Sequence, residues 1–101
     1  MNYTLILNPE VYDDLKEAMN WYENRQTGLG ERFYNAVNSL FDYLEDSPEK
    51  FALRYDDVHC LPVKNFPFLI HYRIDKQNRV VLIEAILNTY RNPQLWGKRR
   101  R

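Results

Sequence analysis

Six residues in the second half of the chain have the side chains that acid–base chemistry on an anionic substrate requires. They are Lys64, His71, Arg73, Glu84, Tyr90 and Arg91. Acid–base chemistry at an anion needs a group that takes a proton, a group that gives one and cations for the negative charge that develops. Lysine and arginine supply the cations, whereas tyrosine, histidine and glutamate supply the acid–base groups. These residues can act together only if the fold brings them to one surface.

Strand periodicity in this half of the chain predicts such a surface. The segments HCLPVKN, FPFLIHYRID and NRVVLIEAILN are short and rich in β-forming residues, and they are split by Asn65 and by the turn-forming stretch DKQN. Alternate residues of a strand lie on the same face of a sheet. In the middle segment one set is entirely apolar, and the opposite set contains Leu69, His71 and Arg73.

The third segment extends the same division. Its uniformly apolar set is Val81, Ile83, Ala85 and Leu87. If helices cover the apolar side of the sheet, the second side is an open face. We predict that this open face, continued by Arg91, carries the polar residues Lys64, His71, Arg73, Glu84, Asn88 and Tyr90.

The same pattern has a purely structural explanation, because a solvated sheet face also collects charged side chains. Under that explanation His71 is a surface histidine, or one satisfied by a hydrogen bond. Glu84 then pairs with Arg73 or Lys64 and takes no part in catalysis. Both explanations remain open from the sequence alone.

The first half of the chain predicts the elements that hold this sheet. YTLILN is a short strand, and Asn8-Pro9 is a favourable helix start, with Asn8 as N-cap and Pro9 in the first turn. Two amphipathic helices follow, separated by QTGLG, and Ser47-Pro48 ends the second. A short link containing glycine favours an antiparallel helical hairpin. The predicted fold is α+β, in the order β-α-α-β-β-β, with the hairpin packed on one face of a small, mostly antiparallel sheet.

Composition limits the classes of protein to consider. The chain has 101 residues, of which 45% are hydrophobic and 28% charged, as expected for one globular domain. The lone cysteine, Cys60, excludes an internal disulfide, and two scattered histidines do not suggest a metal site. We predict no metal and no other cofactor. No signal peptide or membrane-spanning run is evident, so a cytoplasmic location is expected.

Charge is distributed unevenly along the chain. Residues 1–57 contain twelve acidic and five basic residues, a net charge of −7, whereas residues 58–101 contain two acidic and nine basic residues, a net charge of +7. Such a division suggests a basic face for an anionic or acidic partner, although the two halves also complement each other in the folded chain. The single domain, residues 1–101, ends in a short basic tail at about 97–101, which follows Asn92-Pro93 and Trp96.

The order of these elements resembles the RelE/ParE family of toxins from bacterial type II toxin–antitoxin systems, which includes proteins named for plasmid stabilisation. The resemblance covers essentially the whole chain. It depends on LEDSP closing the second helix, on FPFLIHYRI, and on RVVLIEAILNTYRNP followed by LW and a basic end. It implies the fold predicted above, a cognate antitoxin and inhibition of bacterial growth when the toxin is free.

The family contains two unlike activities. RelE-like members are ribosome-dependent mRNA endonucleases (mRNA interferases) that need no metal, whereas ParE-like members inhibit DNA gyrase. This chain departs from the nuclease pattern: Leu69 stands where a basic residue is common, Asn88 where a histidine is common and Tyr90 where an arginine is common. We therefore expect a ParE-like gyrase inhibitor, with a RelE-like nuclease as the alternative.

The expected contact surface follows from this interpretation. Aromatic residues and arginines are the side chains that most often anchor protein interfaces. The residues predicted to contact the target or the antitoxin are Arg73, Tyr90, Arg91, Trp96, Lys98, Arg99, Arg100 and Arg101. The expected partners are an antitoxin and either DNA gyrase or the ribosome with its mRNA, with no membrane. A dimer, or a hetero-oligomer with the antitoxin, is compatible with the sequence.

Deleting residues 98–101 should reduce toxicity and leave the fold intact, because the four basic side chains continue from the predicted functional face. Growth inhibition after induction measures the first effect, and circular dichroism of the purified variant measures the second. Full toxicity of the shortened chain would show that the tail has no needed role.

Overall fold

The structure is a computed structural model that describes residues 2–90. These residues form two helices and five strands, with one short 3-10 turn between the second helix and the second strand. The elements are β1 (Thr4–Leu7), α1 (Pro9–Arg25), α2 (Leu29–Asp46), the 3-10 turn (Pro48–Lys50), β2 (Leu53–Tyr55), β3 (Val58–Pro62), β4 (Phe68–Asp75) and β5 (Val80–Asn88).

The strands form one mixed sheet in the order β1-β5-β4-β3-β2. β1 is parallel to β5, and the other neighbouring strands are antiparallel. The predicted α+β class, the helical hairpin and the mostly antiparallel sheet are confirmed. The additional strand β2 was not predicted, because three residues are too few to show an alternating pattern.

Local sequence explains where α1 begins. The side chain of Asn8 accepts a hydrogen bond from the backbone N–H of Glu10 at 3.0 Å, and Pro9 occupies the first helical position. One of the N–H groups at the helix start, which have no partner within the helix, is thus satisfied. Pro9 costs no helical hydrogen bond at this position, because an N–H there would have had no partner in the helix.

A carboxylate of α1 holds the start of α2. Oε2 of Glu23 accepts from the backbone N–H of Gly28 at 2.8 Å, and Oε1 accepts from that of Gly30 at 3.0 Å. Gly28 has φ +89°, a left-handed conformation that glycine adopts without strain. Gly30 packs so closely on α1 that a Cβ there would lie 2.5 Å from the carbonyl oxygen of Met19. The hairpin therefore depends on glycine at both positions.

The core lies between the helical hairpin and one face of the sheet. Phe33, Val37 and Leu44 of α2 are fully buried, as are Val11 of α1 and Tyr72 of β4. The remaining buried members of this cluster are Tyr3, Leu15, Ala18, Tyr22, Leu61, Val63, Ile70, Val81, Ile83 and Ile86. Burial of this apolar surface is the main force that keeps the hairpin on the sheet.

A bulge in β5 changes the predicted strand faces. His71 pairs with Ala85 and Tyr72 pairs with Ile83, which leaves Glu84 as an extra residue between two partners. Val81 and Ile83 therefore lie on the helix side, as predicted, but beyond the bulge the helix side continues with Ile86 and Asn88. Ala85 and Leu87 lie on the open face.

Replacing Gly30 with alanine should lower the free energy of unfolding by about 2–3 kcal/mol, because the new methyl group meets a backbone oxygen that cannot rotate away. Urea denaturation followed by circular dichroism measures the change. Asn35→Ala, at an exposed position of the same helix, is the matched control and should change the stability by less than about 0.5 kcal/mol. Equal midpoints for the two variants would contradict the close packing at Gly30.

Candidate functional site

Arg73 and Glu84 form an ion pair on the open face beside the β5 bulge. Nε of Arg73 donates to Oε2 of Glu84 at 2.5 Å, and the glutamate side chain is only 6% exposed. The second carboxylate oxygen, Oε1, is buried and has no hydrogen-bond partner among residues 2–90. The structural explanation of Glu84, a carboxylate paired with Arg73, is therefore the one that the geometry favours.

His71 lies on the open face but is completely buried. Its Nδ1 atom is 3.2 Å from the hydroxyl of Tyr55 and 3.4 Å from the sulfur of Cys60. Tyr55 belongs to the unpredicted strand β2, so this strand helps to cover the histidine. The ring is thus held at Nδ1, whereas its Nε2 atom is buried without a hydrogen-bond partner among residues 2–90. No part of the ring is exposed to a substrate.

Burial also determines the chemistry of Cys60, which lies beside His71. Desolvation raises the pKa of the Cys60 thiol from the ordinary value of 9.0 to about 11, although the positive charge of Arg54 acts in the opposite direction. The thiolate is the reactive form of cysteine, so a raised pKa makes this residue a poor nucleophile near neutral pH. Cys60 is a packing residue, as expected for a lone buried cysteine.

Lys64 lies away from the Arg73–Glu84 pair. It is exposed on the turn between β3 and β4, where it faces α2 on the helix side of the sheet. β3 ends at Pro62, so the alternation of strand faces does not continue to residue 64. The prediction that Lys64 shares the open face with Arg73 is therefore wrong.

The end of β5 is also rearranged relative to the prediction. Asn88 lies on the helix side, where its side chain accepts a hydrogen bond from the backbone N–H of Tyr90 at 2.7 Å. The side chain of Tyr90 is 86% exposed. Of the six candidates for acid–base chemistry, the structure brings together His71, Arg73 and Glu84. Arg91, Trp96, Lys98, Arg99, Arg100 and Arg101 lie outside the described residues, so the predictions for them stay predictions.

Sequence reasoning missed a buried acidic residue on α1. Asp14 is 9% exposed, and its Oδ2 accepts from the backbone N–H of Ile86 at 3.0 Å. Because β1 stops at Leu7, this part of β5 has no strand beside it, and Asp14 takes the place of a neighbouring carbonyl. A cavity of about 240 Å³ opens next to it, lined by Trp21 and Asn88 among others. The sequence feature that could have indicated its burial is its position: Asp14 lies on the same helical face as the apolar residues Val11 and Ala18.

Comparison with protein families identifies the chain. The model described as "ParE toxin of type II toxin-antitoxin system, parDE" matches residues 5–93. The chain belongs to the ParE toxin family. This result confirms the resemblance to RelE/ParE toxins that the sequence showed. A search of curated protein sequences gave no match.

Solved structures share the fold of this ParE-family toxin at low sequence identity. A structure titled as the chromosomal ParDE system of P. aeruginosa has a TM-score of 0.74 at 14% identity, covering 85% of this chain and 95% of that one. A mutant E. coli RelE toxin in the free state has a TM-score of 0.67 at 15% identity, and the match covers 89% of this chain and 86% of that one. The RelBE2 toxin–antitoxin complex of M. tuberculosis has a TM-score of 0.63 at 20% identity, and the match covers 87% of this chain and 99% of that one.

No helix within residues 2–90 is both long enough and apolar enough to cross a membrane. Over the same range, no cluster of three or more His, Cys, Asp or Glu side chains is arranged to hold a metal ion.

Cys60 should react with iodoacetamide about 100-fold more slowly in the folded protein than in the unfolded chain at about pH 8, because the raised pKa lowers the thiolate fraction by that factor. Mass spectrometry of the alkylated chain, with and without guanidinium, measures both rates. The folded thiol stays protonated at a pH where the unfolded one ionises. Its contribution to stability is therefore present below about pH 9 and is lost as the pH rises towards about 11. Equal alkylation rates in the two states would contradict the burial of Cys60.

Proposed function

We propose that this ParE-family toxin acts by binding DNA gyrase and carries out no RNA chemistry of its own. One observation carries the proposal: the acid–base candidates on the open face are engaged inside the protein. His71 is completely buried against Tyr55 and Cys60, and Glu84 is bound to Arg73.

Acid–base catalysis requires the catalytic group to come within hydrogen-bond distance of the proton that it transfers. The His71 ring has no exposed surface, so a substrate on the open face cannot reach it. The side chain of Glu84 is 6% exposed, and its carboxylate already accepts a hydrogen bond from Arg73. This ion pair also neutralises much of the positive charge that Arg73 would otherwise offer to a phosphate. This geometry suits a structural pair more than a catalytic one.

The remaining candidates lie in different places. Lys64 faces α2 on the helix side, and Tyr90 is in solvent beyond β5. Stabilisation of a developing phosphate charge requires cations that converge on one point. Lys64 and Arg73 do not converge, because the sheet separates them.

A RelE-like nuclease is the second candidate, and Tyr90 is the residue that favours it. Among the six residues it is the one acid–base group whose side chain the structure places in water, at 86% exposure. RNA cleavage by this chain would therefore have to depend on Tyr90, which makes that alternative testable.

We further propose that a cognate antitoxin neutralises the toxin in a hetero-oligomer. Structural relatives from M. tuberculosis and Pyrococcus horikoshii were solved as toxin–antitoxin and RelE–RelB complexes. The basic second half of this chain suits a partner that contributes an acidic segment. Size-exclusion chromatography of the toxin with the product of the adjacent small gene tests the pairing, and separate elution would contradict it.

Induction of the chain in a bacterial host, followed by pulse-labelling of DNA and protein, separates the two activities. We expect DNA synthesis to stop first, with filamentous cells and intact mRNA. A rapid stop in translation with cleaved mRNA would favour the nuclease. Absence of a growth defect would contradict both activities.

The double variant Glu84→Gln/Tyr90→Phe should keep the toxicity of the parent within about threefold, because neither group performs a chemical step in the proposed function. Loss of general acid–base catalysis would instead lower activity by about 100-fold or more. Growth inhibition and primer extension on cellular mRNA measure the effect. Tyr34→Phe/Asp42→Asn makes the same two chemical changes at exposed positions of α2 and is the matched control. A selective loss of mRNA cleavage in the first variant would overturn the proposal.

A further inference from the structure

An exposed tryptophan and a small cavity lie side by side between α1 and the end of β5. Trp21 is 52% exposed, although an indole ring is among the largest apolar surfaces that a side chain can bury. The cavity of about 240 Å³ beside it is lined by Asp14, Glu17, Leu87 and Asn88, among others. We call Trp21 and this cavity together the Trp21 surface.

The aromatic core holds Trp21 in place. Its ring stands edge-on to the ring of Tyr22, with a centroid separation of 5.0 Å and an interplanar angle of 89°. Tyr22 is buried and packs in turn on three further rings, those of Phe33, Phe66 and Phe68. The guanidinium of Arg25, one turn further along α1, lies over the indole ring at 4.2 Å. A tryptophan fixed in this way loses little conformational entropy when a partner binds.

The Trp21 surface lies at an open edge of the sheet. β1 pairs with β5 only from Val80 to Ile83, and no other strand of residues 2–90 lies on that side of β5 from there to Asn88. Asp14 partly replaces the missing strand by accepting from the backbone N–H of Ile86. The cavity occupies part of the space that a longer β1 would fill.

The charged residues of the described chain that line the cavity are both acidic. They are Asp14, which is 9% exposed, and Glu17, which is exposed, and no lysine or arginine of residues 2–90 lines the cavity. Charge complementarity therefore favours a basic side chain at this place. The apolar part of the lining, which includes Ala18 and Leu87, suits the methylene stem of a lysine or an arginine.

The size of the cavity indicates what kind of ligand carries the basic group. Sites for small molecules usually have volumes of about 300–1,000 Å³. This cavity, at about 240 Å³, falls below that range and suits a single long side chain of a protein partner. Trp21 then packs against the neighbouring residues of that partner, and tryptophan is among the residues that most often dominate the energy of a protein interface.

Charge also distinguishes between the two expected protein partners. The basic second half of the chain suits an antitoxin that contributes an acidic segment. The carboxylates of Asp14 and Glu17 would repel such a segment, whereas they attract a lysine or an arginine of a target protein. The Trp21 surface therefore suits the target and not the antitoxin.

We propose that the Trp21 surface binds the protein target of this toxin. A lysine or an arginine of the target enters the cavity, and an apolar side chain beside it packs on Trp21. This inference rests on the proposed function, in which the target is DNA gyrase, and adds the place of contact. It assigns the target to α1 and the end of β5, and not to the open face that carries the Arg73–Glu84 pair.

Binding of the purified chain to purified DNA gyrase, measured by surface plasmon resonance, tests this inference. Trp21→Ala should bind about 30-fold more weakly, because truncation of an anchoring tryptophan removes a large part of the binding energy of an interface. Glu17→Lys should bind at least about 10-fold more weakly, because the new ammonium group repels a basic side chain. Glu17 is exposed on α1, so this second variant should fold even if the first does not.

Two exposed residues provide matched controls. Tyr12→Ala truncates an aromatic side chain that is 61% exposed and lies nine positions earlier in α1, on the opposite side of the helix. Glu45→Lys makes the same change of charge as Glu17→Lys, at an exposed position near the end of α2. Both controls should bind gyrase within about threefold of the parent, and circular dichroism melting curves check that all four variants fold.

Binding to the antitoxin shows whether an effect is specific to the target. Trp21→Ala and Glu17→Lys should bind the purified product of the adjacent small gene within about threefold of the parent, because the proposed surface repels an acidic segment. Loss of both interactions in these variants would contradict the assignment of the surface to the target.

The outcomes separate this inference from the function on which it rests. Weaker binding of gyrase by the two surface variants, with unchanged controls and unchanged antitoxin binding, supports the Trp21 surface as the target site. If the parent binds gyrase tightly and the surface variants bind equally well, the inference is wrong and the proposed function stands. No binding of gyrase by the parent itself would overturn the proposed function and this inference together.

Discussion

The bulge at Glu84 decides which side chains reach each face of the sheet. One extra residue opposite β4 turns Ile86 and Asn88 towards the helices and leaves Ala85 and Leu87 on the other face. It also places the Glu84 carboxylate where Arg73 can bind it. An uninterrupted strand would have aligned Glu84, Asn88 and Tyr90 beside His71, as the alternation of residues predicted. The pairing of Glu84 with Arg73, on which part of the functional argument depends, occurs at this irregularity.

The helical hairpin is the second constraint on the fold, because it covers the apolar face of that sheet. Glu23 caps the start of α2, and Gly30 lets the two helices approach to backbone contact. Asp14 of α1 then satisfies a backbone N–H of β5 beyond the end of β1. The hairpin is thus joined to the sheet by the hydrogen bond to Asp14 and by the apolar core.

Much of the fold could be predicted from the sequence, and the reasons are local. Asn8-Pro9 marks the start of α1 because asparagine caps a helix and proline fits its first turn. Ser47-Pro48 marks the end of α2 because proline cannot continue a helix. The apolar residues also recur clearly at helical spacing in the first half of the chain and alternate in the strands. The strand β2 and the bulge could not be predicted in this way. β2 is too short to show a period, and a bulge depends on pairing with a distant strand. The pairing of Glu84 with Arg73 could be predicted from the alternation of strand faces, as the structural explanation of these charges. The position of Lys64 could not, because a turn follows the end of β3 at Pro62.

The central claim is that this ParE toxin acts by binding gyrase, and purified components test it most directly. The chain, freed of antitoxin, is added to purified DNA gyrase and relaxed plasmid with ATP, and supercoiling is followed by gel electrophoresis. In parallel the same preparation is added to translating ribosomes, and mRNA integrity is followed by primer extension. The account predicts inhibited supercoiling and intact mRNA. Normal supercoiling together with cleaved mRNA would contradict it.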